Sequence, residues 1–353
     1  MAVPFIENIQ RITGLRVWQI AILGILIVFC VNYISMIYMQ KMAKPTALRA
    51  EGFSTYGATT HGSVRAEGFE NPHSAADDSR TAWLDNSQLY DPFYASVYDQ
   101  LAQGSGRNQA EVALLLTKWA TKDKPIKSLS ILDVGCGTGI AALAFAKAGC
   151  RNVVAMDRSK AMIDYAEKTN TSKSILNSEQ KAAITWHQED ALNPKANPQA
   201  AFDAACLLYF TVYYIRDLDK LFTNLNLWVR PGGHLAVQVV NKYKFDPLLD
   251  SASPFVFSVQ KYSKERVTKS KVEFDKFNYE AEFNLDPDDD NQADFRETFR
   301  FKDGSIRRQK HSFNMPAIPV IVNKAKAAGW AYQGFINELH VGFEYSYLLL
   351  FTH

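Results

Sequence analysis

The sequence has little excess of charge of either sign: 39 Lys and Arg stand against 37 Asp and Glu, a formal net charge of +2. A chain this close to neutral lacks the electrostatic footprint of a protein that grips polyanions through bulk charge. The local basic run Lys261, Lys264, Arg266, Lys269 and Lys271 is interspersed with acids and reads as a solvated surface rather than a nucleic-acid groove. Cysteine is scarce. Cys30, Cys136, Cys150 and Cys206 have neither metal-ligand spacing nor the density of a disulfide framework, and read as free thiols of a reducing compartment. The aspartates of LDPDDDNQAD, residues 285–294, miss the EF-hand spacing, so that loop is expected to be solvated rather than calcium-binding.

One uncharged stretch stands out. Val17 to Met39 runs 23 residues without a charge. As a helix it is about 34 Å long, enough for a hydrocarbon core of roughly 30 Å. Trp18 at one end and Tyr33 and Tyr38 towards the other suit interfacial anchoring. Residues 1–40 are therefore expected to form a retained single-pass anchor rather than a cleaved signal, although Arg11 and Arg16 also suit a mitochondrial targeting segment. Lys41, Lys44 and Arg49 slightly outweigh those two arginines, which places the following domain on the cytoplasmic or matrix face. Residues 41–82, rich in Gly, Ala, Ser and Thr, read as a tether. Within it Arg49–Phe53 recurs as Arg65–Phe69, either as paired docking segments for a protein complex or as a neutral duplication.

The remaining 83–353 is organised around Ile131 to Gly139, ILDVGCGTG. A short apolar run ends in Asp133, the pattern of a buried parallel strand. Gly135, Gly137 and Gly139 then permit a tight turn that a ligand can approach closely, and AALAFAKAG reads as a helix stopped by Gly149. A second apolar run, Asn152–Met156, ends at Asp157, where a carboxylate can accept from both ribose hydroxyls of a nucleotide. Ser159 is positioned to cap the next helix, which carries Met162. Further short strands are expected at 183–187, 202–208 and 234–240, with a helix at 217–228 and a tight turn at Arg230–Gly233. Strands alternating with helices require a sheet covered on both faces. Residues 241–313 break the rhythm: 272–283 and 295–301 favour strands, with a hairpin turn at Asp303-Gly304. A helix at 316–328 and a strand pair at 330–337 and 343–351 complete the chain. Tyr90, Phe93, Tyr94 and Tyr98 either line a cofactor entrance or pack in the core.

In order, LDVGCGTG, AMDRS, EDA at 189–191, FDAACLL and RPGG resemble the class I S-adenosylmethionine-dependent methyltransferases, in the branch acting on small molecules. The resemblance covers about Tyr90 to Thr352. It implies an α/β doubly wound seven-stranded sheet of order 3-2-1-4-5-7-6 with the last strand antiparallel, 241–313 lying over its carboxyl edge as an antiparallel lid. It also implies S-adenosylmethionine as cofactor. Asp133, Gly135, Cys136, Gly137 and Gly139 would hold the methionine portion, Asp157 the ribose, and Met162, Asp190 and Ala191 the adenine, while Leu207 and Leu208 would lie under the sulfonium.

No Asn-Pro-Pro-Tyr element follows the fourth strand, where the chain has CLLYFTVYY, which argues against methylation of exocyclic amines on nucleic-acid bases. An acceptor hydroxyl would call for a base within reach. Tyr209, Tyr213, Tyr214, Glu280 and His311 are placed for it, each with a structural role as the alternative, so the catalytic residue stays unassigned. Two functions follow. One is methyl transfer to a small or lipid-like acceptor at a membrane. The other is a structural or assembly component of a membrane-associated complex or virus particle that retains the fold.

Overall fold

The computed structural model describes residues 81–102, 104–247, 268–341 and 343–353. Among these residues no helix is long and apolar enough to cross a membrane. The longest, Gly104–Trp119, has 16 residues and rises only about 24 Å. The expected anchor at 17–39 and nearly all of the expected tether lie outside the described residues. As a correction, the transmembrane helix drops out of the fold. With it go the single-pass localisation with a cytoplasmic or matrix-facing domain, the membrane and a tether-bound complex as partners, and a membrane-delivered, lipid-like acceptor. The structural or assembly role in a membrane complex or virus particle, read from the tether and its Arg49–Phe53 repeat, was set at a membrane and goes with it.

Seven strands form the central sheet: β2 (Ser130–Val134), β3 (Asn152–Asp157), β4 (Ile184–Gln188), β5 (Phe202–Leu207), β6 (Val229–Val240), β11 (Ala331–Asn337) and β12 (Ser346–Thr352). Their order is β11-β12-β6-β5-β2-β3-β4. β12 pairs antiparallel with both β6 and β11, and the remaining pairs are parallel. Counted along the central sheet alone, this is the 3-2-1-4-5-7-6 order expected from the motif set.

The alternation of side chains along each strand loads both faces. Leu132, Ala205, Leu207 and Val237 pack on one side with Leu221, Phe222 and Trp228 of α6 (Leu218–Trp228) and Ile321 of α7 (Ile318–Ala327). Ile131, Val153, Ala204 and Cys206 face the other way, onto Leu115 and Trp119 of α2 (Gly104–Trp119) and Phe145 of α3 (Ile140–Lys147). Parallel strands need this double cover because neither face meets water. Asp217 caps α6 by accepting from the Lys220 amide at 3.0 Å. β6 starts earlier than expected: it runs through Arg230–Gly233, and its register against β5 shifts there, so the turn is absorbed as an irregularity within the strand.

A second sheet has the order β1-β10-β9-β8-β7, with β1 (Trp83–Leu84), β7 (Lys269–Glu273), β8 (Phe277–Leu285), β9 (Gln292–Phe301) and β10 (Ile306–Asn314). The single strand expected over 272–283 is instead a hairpin. β1 pairs parallel with β10, tying the start of the domain into this sheet. One face, carrying Phe277, Tyr279, Ala281 and Phe299, packs on Leu89 and on Tyr94, Ala95 and Leu101 of α1 (Pro92–Ala102). Phe93 of α1 meets Phe299 and Phe301 edge-on, each at 5.3 Å between ring centroids, a geometry aromatic rings favour.

Candidate active site

A cavity of about 490 Å³ opens at the carboxyl ends of β2, β3 and β5, where a doubly wound sheet binds its ligands. The glycine loop after β2 forms its floor. Gly135 has φ +69°, and a Cβ there would run into the Thr211 side chain, so the backbone crosses under that residue only without a side chain. The loop is pinned to the end of β3: the Gly135 and Cys136 amides donate to the Met156 carbonyl at 2.8 and 3.0 Å, and the Gly137 amide donates to Asp157 Oδ2 at 2.9 Å. The other Asp157 oxygen accepts from the Ser159 amide at 2.8 Å. An ionised carboxylate has about four acceptor positions, so both oxygens keep room for ligand hydroxyls. Ser159 caps α4 (Lys160–Tyr165) through the Met162 amide, and α5 (Ser178–Ala182) follows before β4.

Asp133 is 2% exposed and lines the same cavity. Cys206 Sγ donates to its Oδ1 at 3.7 Å, while Oδ2 is buried with no hydrogen-bond partner. Burial, only partly offset by Cys206 and the Ala142 amide, pushes this carboxyl up to about 7, with the nearby Asp157 charge adding to the rise. Burial also raises the Asp157 carboxyl, against the two backbone amides. Two acids held this way in one cleft favour a cationic, hydroxyl-bearing ligand. Glu189, Asp190 and Ala191 line the far end, with Asp190 Oδ1 accepting from the Leu192 amide at 2.8 Å.

Of the residues singled out from the sequence, Asp133, Gly135, Cys136, Gly137, Asp157, Asp190 and Ala191 meet around the cavity. Three do not line it. Gly139 serves packing: at φ +81° it begins α3, and a Cβ there would run into Trp186. Met162 is buried in the cluster between α1 and the second sheet, and Leu207 lies in the core over α6. Lys160 and Ala161, and Leu208 and Tyr209, line the cavity instead. Among the expected bases, Tyr213 is structural, its hydroxyl accepting from the Val240 amide at 2.8 Å. Glu280 is on β8 and pairs with Lys271 at 3.0 Å. Tyr209 and Tyr214 reach the cavity wall, and His311 stands behind Tyr214.

The sequence left two features of the wall unresolved. Tyr90 and Tyr98 do line it, whereas Phe93 and Tyr94 pack behind in contact with the second sheet. Burial raises the Tyr90, Tyr98 and Tyr214 hydroxyls well above the ordinary tyrosine range, which keeps them protonated. The other feature is a clamp. Asp99 of α1 accepts from Thr138 and, at 2.8 Å, from Asn170 Nδ2, which also donates to the Thr138 carbonyl at 3.0 Å. This fixes α1 over the glycine loop, and only the threonine within the motif hinted at it.

Residues 131–233 match the family described as a methyltransferase domain. Over 96 residues the chain is 31% identical to cypemycin N-terminal methyltransferase of Streptomyces sp, covering 26% of this chain and 35% of that protein. Over 122 residues it is 27% identical to the mitochondrial ubiquinone biosynthesis O-methyltransferase of Dictyostelium discoideum, covering 33% and 37%. The chain thus spans little more than a third of these relatives. The structure of the CcbJ methyltransferase from Streptomyces caelestis superposes with a TM-score of 0.54 at 15% identity, covering 74% of this chain and 97% of that one, a likeness of fold. The orphaned Asp133 oxygen, the open Asp157 carboxylate and the glycine-rich loop fit S-adenosylmethionine, with its ammonium, sulfonium and ribose. Residues 131–233 thus carry a methyltransferase domain, and S-adenosylmethionine is its cofactor.

Proposed function

We propose that the chain transfers a methyl group from S-adenosylmethionine to a small-molecule acceptor. When bound, the cofactor supplies an already activated methyl on a positive sulfur. The protein's work is then to hold the donor, align the acceptor and exclude water. In this reading Asp133, Cys136 and the Gly135–Gly137 turn hold the methionine portion, Asp157 accepts from the ribose, and Asp190 with Ala191 faces the adenine. Tyr90, Tyr98, Tyr209 and Tyr214 form the wall beyond, where the acceptor would sit. The observation that carries the reading is the buried, half-satisfied Asp133 carboxylate facing the same cavity as Asp157. The matched segment is the cofactor-binding half, which relatives acting on different acceptors share, so it leaves the acceptor open.

Asp157→Ala is expected to weaken S-adenosylmethionine binding by roughly tenfold or more, the loss of one or two hydrogen bonds to a charged acceptor. Calorimetry on the full chain reads this directly, and unchanged affinity would remove Asp157 from the ribose site. Activity is tested by following demethylated cofactor while methyl-labelled S-adenosylmethionine is offered with a panel of small phenols and amines. Acceptor-dependent release is expected. Tight cofactor binding with no label transferred to any member would contradict the small-molecule reading.

A further inference from the structure

Behind Tyr214 the cavity wall continues into the second sheet as a line of buried hydrogen bonds. Tyr214 Oη lies 2.5 Å from His311 Nδ1, and His311 Nε2 lies 2.5 Å from Glu297 Oε2. Glu297 is fixed in turn: Tyr279 donates to its Oε1 at 2.5 Å and Gln309 Nε2 donates to its Oε2 at 2.6 Å. His311 is 3% exposed and Glu297 1%. Tyr90 and Phe313 pack against both the His311 and Tyr214 rings. Of the three, only Tyr214 lines the cavity.

A buried carboxylate with a histidine partner is an expensive way to hold a sheet in place. Apolar residues of similar volume usually serve stability at least as well. Here the pair ends in a hydroxyl on the wall of the reaction cavity, and its polarity is set by chemistry. A nitrogen facing a carboxylate carries a proton, so Nε2 donates to Glu297. In the neutral imidazole Nδ1 is then the acceptor, and the Tyr214 hydroxyl donates to it. Burial pushes the Glu297 carboxyl up, but His311 and the hydrogen bonds from His311, Tyr279 and Gln309 together hold it below the usual carboxylate range.

We propose that Tyr214, His311 and Glu297 form a proton relay serving a hydroxyl acceptor, which must shed its proton as it is methylated. The relay rests on the methyl-transfer reading above. As the acceptor heteroatom gains the methyl carbon, the electron pair of the broken carbon–sulfur bond stays on sulfur. The acceptor's proton passes to Tyr214 Oη, and the Tyr214 proton passes to His311 Nδ1. The resulting imidazolium is held by Glu297, and solvent takes the proton after product leaves. Tyr214 is the group in contact with the acceptor, while His311 and Glu297 are positioning residues behind it.

The test needs no identified acceptor. The full chain, labelled with ¹⁵N-histidine and saturated with S-adenosylhomocysteine, is titrated by NMR, with His311→Gln assigning the resonance. At pH 8 the relay predicts His311 protonated at Nε2 alone, with Nδ1 open to accept. Tyr214→Phe should move the Nδ1 resonance, and Glu297→Gln should move the Nε2 resonance. The charged or titratable groups facing His311 are Glu297 from β9, Tyr94 from α1, Tyr90 ahead of α1, and Tyr214. Tyr94→Phe, the control for that 3.3 Å contact at Nε2, should leave the Nε2 tautomer in place. A His311 protonated only at Nδ1 at pH 8, one doubly protonated at that pH, or one indifferent to Tyr214→Phe overturns the relay. Calorimetry on the same samples separates the two levels. Normal S-adenosylhomocysteine binding with the wrong tautomer defeats the relay alone, whereas absent binding defeats the methyl-transfer reading and the relay with it.

Discussion

Asp133→Asn is expected to make the protein more stable at pH 8 and a poorer binder of S-adenosylmethionine. The carboxyl is 2% exposed, one of its oxygens has no hydrogen-bond partner, and burial moves it from 3.8 to about 7. An acid whose folded-state value is raised adds stability that is complete below the unfolded value and lost as pH climbs through the folded one. For Asp133 that window is pH 3.8 to about 7. A displacement of this size corresponds to about 4 kcal/mol against the charged form, an upper figure for the gain in Asn. The Asn variant should therefore melt higher than the parent at pH 8, with the difference shrinking towards pH 4. Its affinity for the cationic cofactor should fall roughly 10–100-fold, as one partner of a buried charge pair is lost. In the parent, affinity should fall as pH drops below about 7, and in the variant that dependence should vanish. Equal melting at pH 8 with undiminished affinity would mean that Asp133 carries no uncompensated charge and meets no ligand.

Gly139→Val should come close to unfolding the domain. Gly139 sits at φ +81°, a backbone region that costs a side-chain-bearing residue about 1–2 kcal/mol. The added Cβ would also collide with the Trp186 ring and sit 3.0 Å from the Ala166 Cβ, and forcing atoms into such packing costs a further 1–3 kcal/mol or so. The sum, about 2–5 kcal/mol, is a large part of the roughly 5–15 kcal/mol that holds an ordinary domain together. Urea unfolding of the parent and variant measures it. A midpoint that barely moves would show that the helix start and Trp186 shift apart without cost. The loss should appear without cofactor, which separates Gly139 from Asp133 and Asp157.

Those residues also mark how far the sequence could be read. The inner strands β2, β3 and β5 were legible because each is short, largely buried and punctuated by Gly, Pro or a capping residue. Their order came from the motif set, since periodicity does not specify which strand neighbours which. Asp133, Asp157 and Asp190 reach the cavity because a strand end has one exit, the carboxyl edge. Met162 lies off the cavity by helical geometry: the first turn of α4 offers Lys160 and Ala161 to the cavity and turns Met162 onto α1. Strand alternation sends Leu207 into the core and leaves the wall to Leu208 and Tyr209.

The Asp99–Thr138–Asn170 clamp joins groups 39 and 71 residues apart, and no local pattern announces it. Glu297 was invisible for a related reason. Its approach to His311 depends on the β9–β10 register, in which Glu297 lies opposite Gln309 and His311 opposite Phe295. A slip of one residue would turn either side chain to the other face. The 23-residue apolar stretch was the loudest single feature of the chain, yet no helix among the described residues can span a bilayer, and the function rests on the sheet edge instead.

The most direct measurement is isothermal titration of the full-length chain with S-adenosylmethionine at pH 8, repeated with Asp133→Asn and Asp157→Ala. A single saturable site in the parent, weakened in both variants, is the predicted result. No saturable binding by the parent, or binding that neither substitution alters, would contradict the assignment of this cavity as the methyl donor's site.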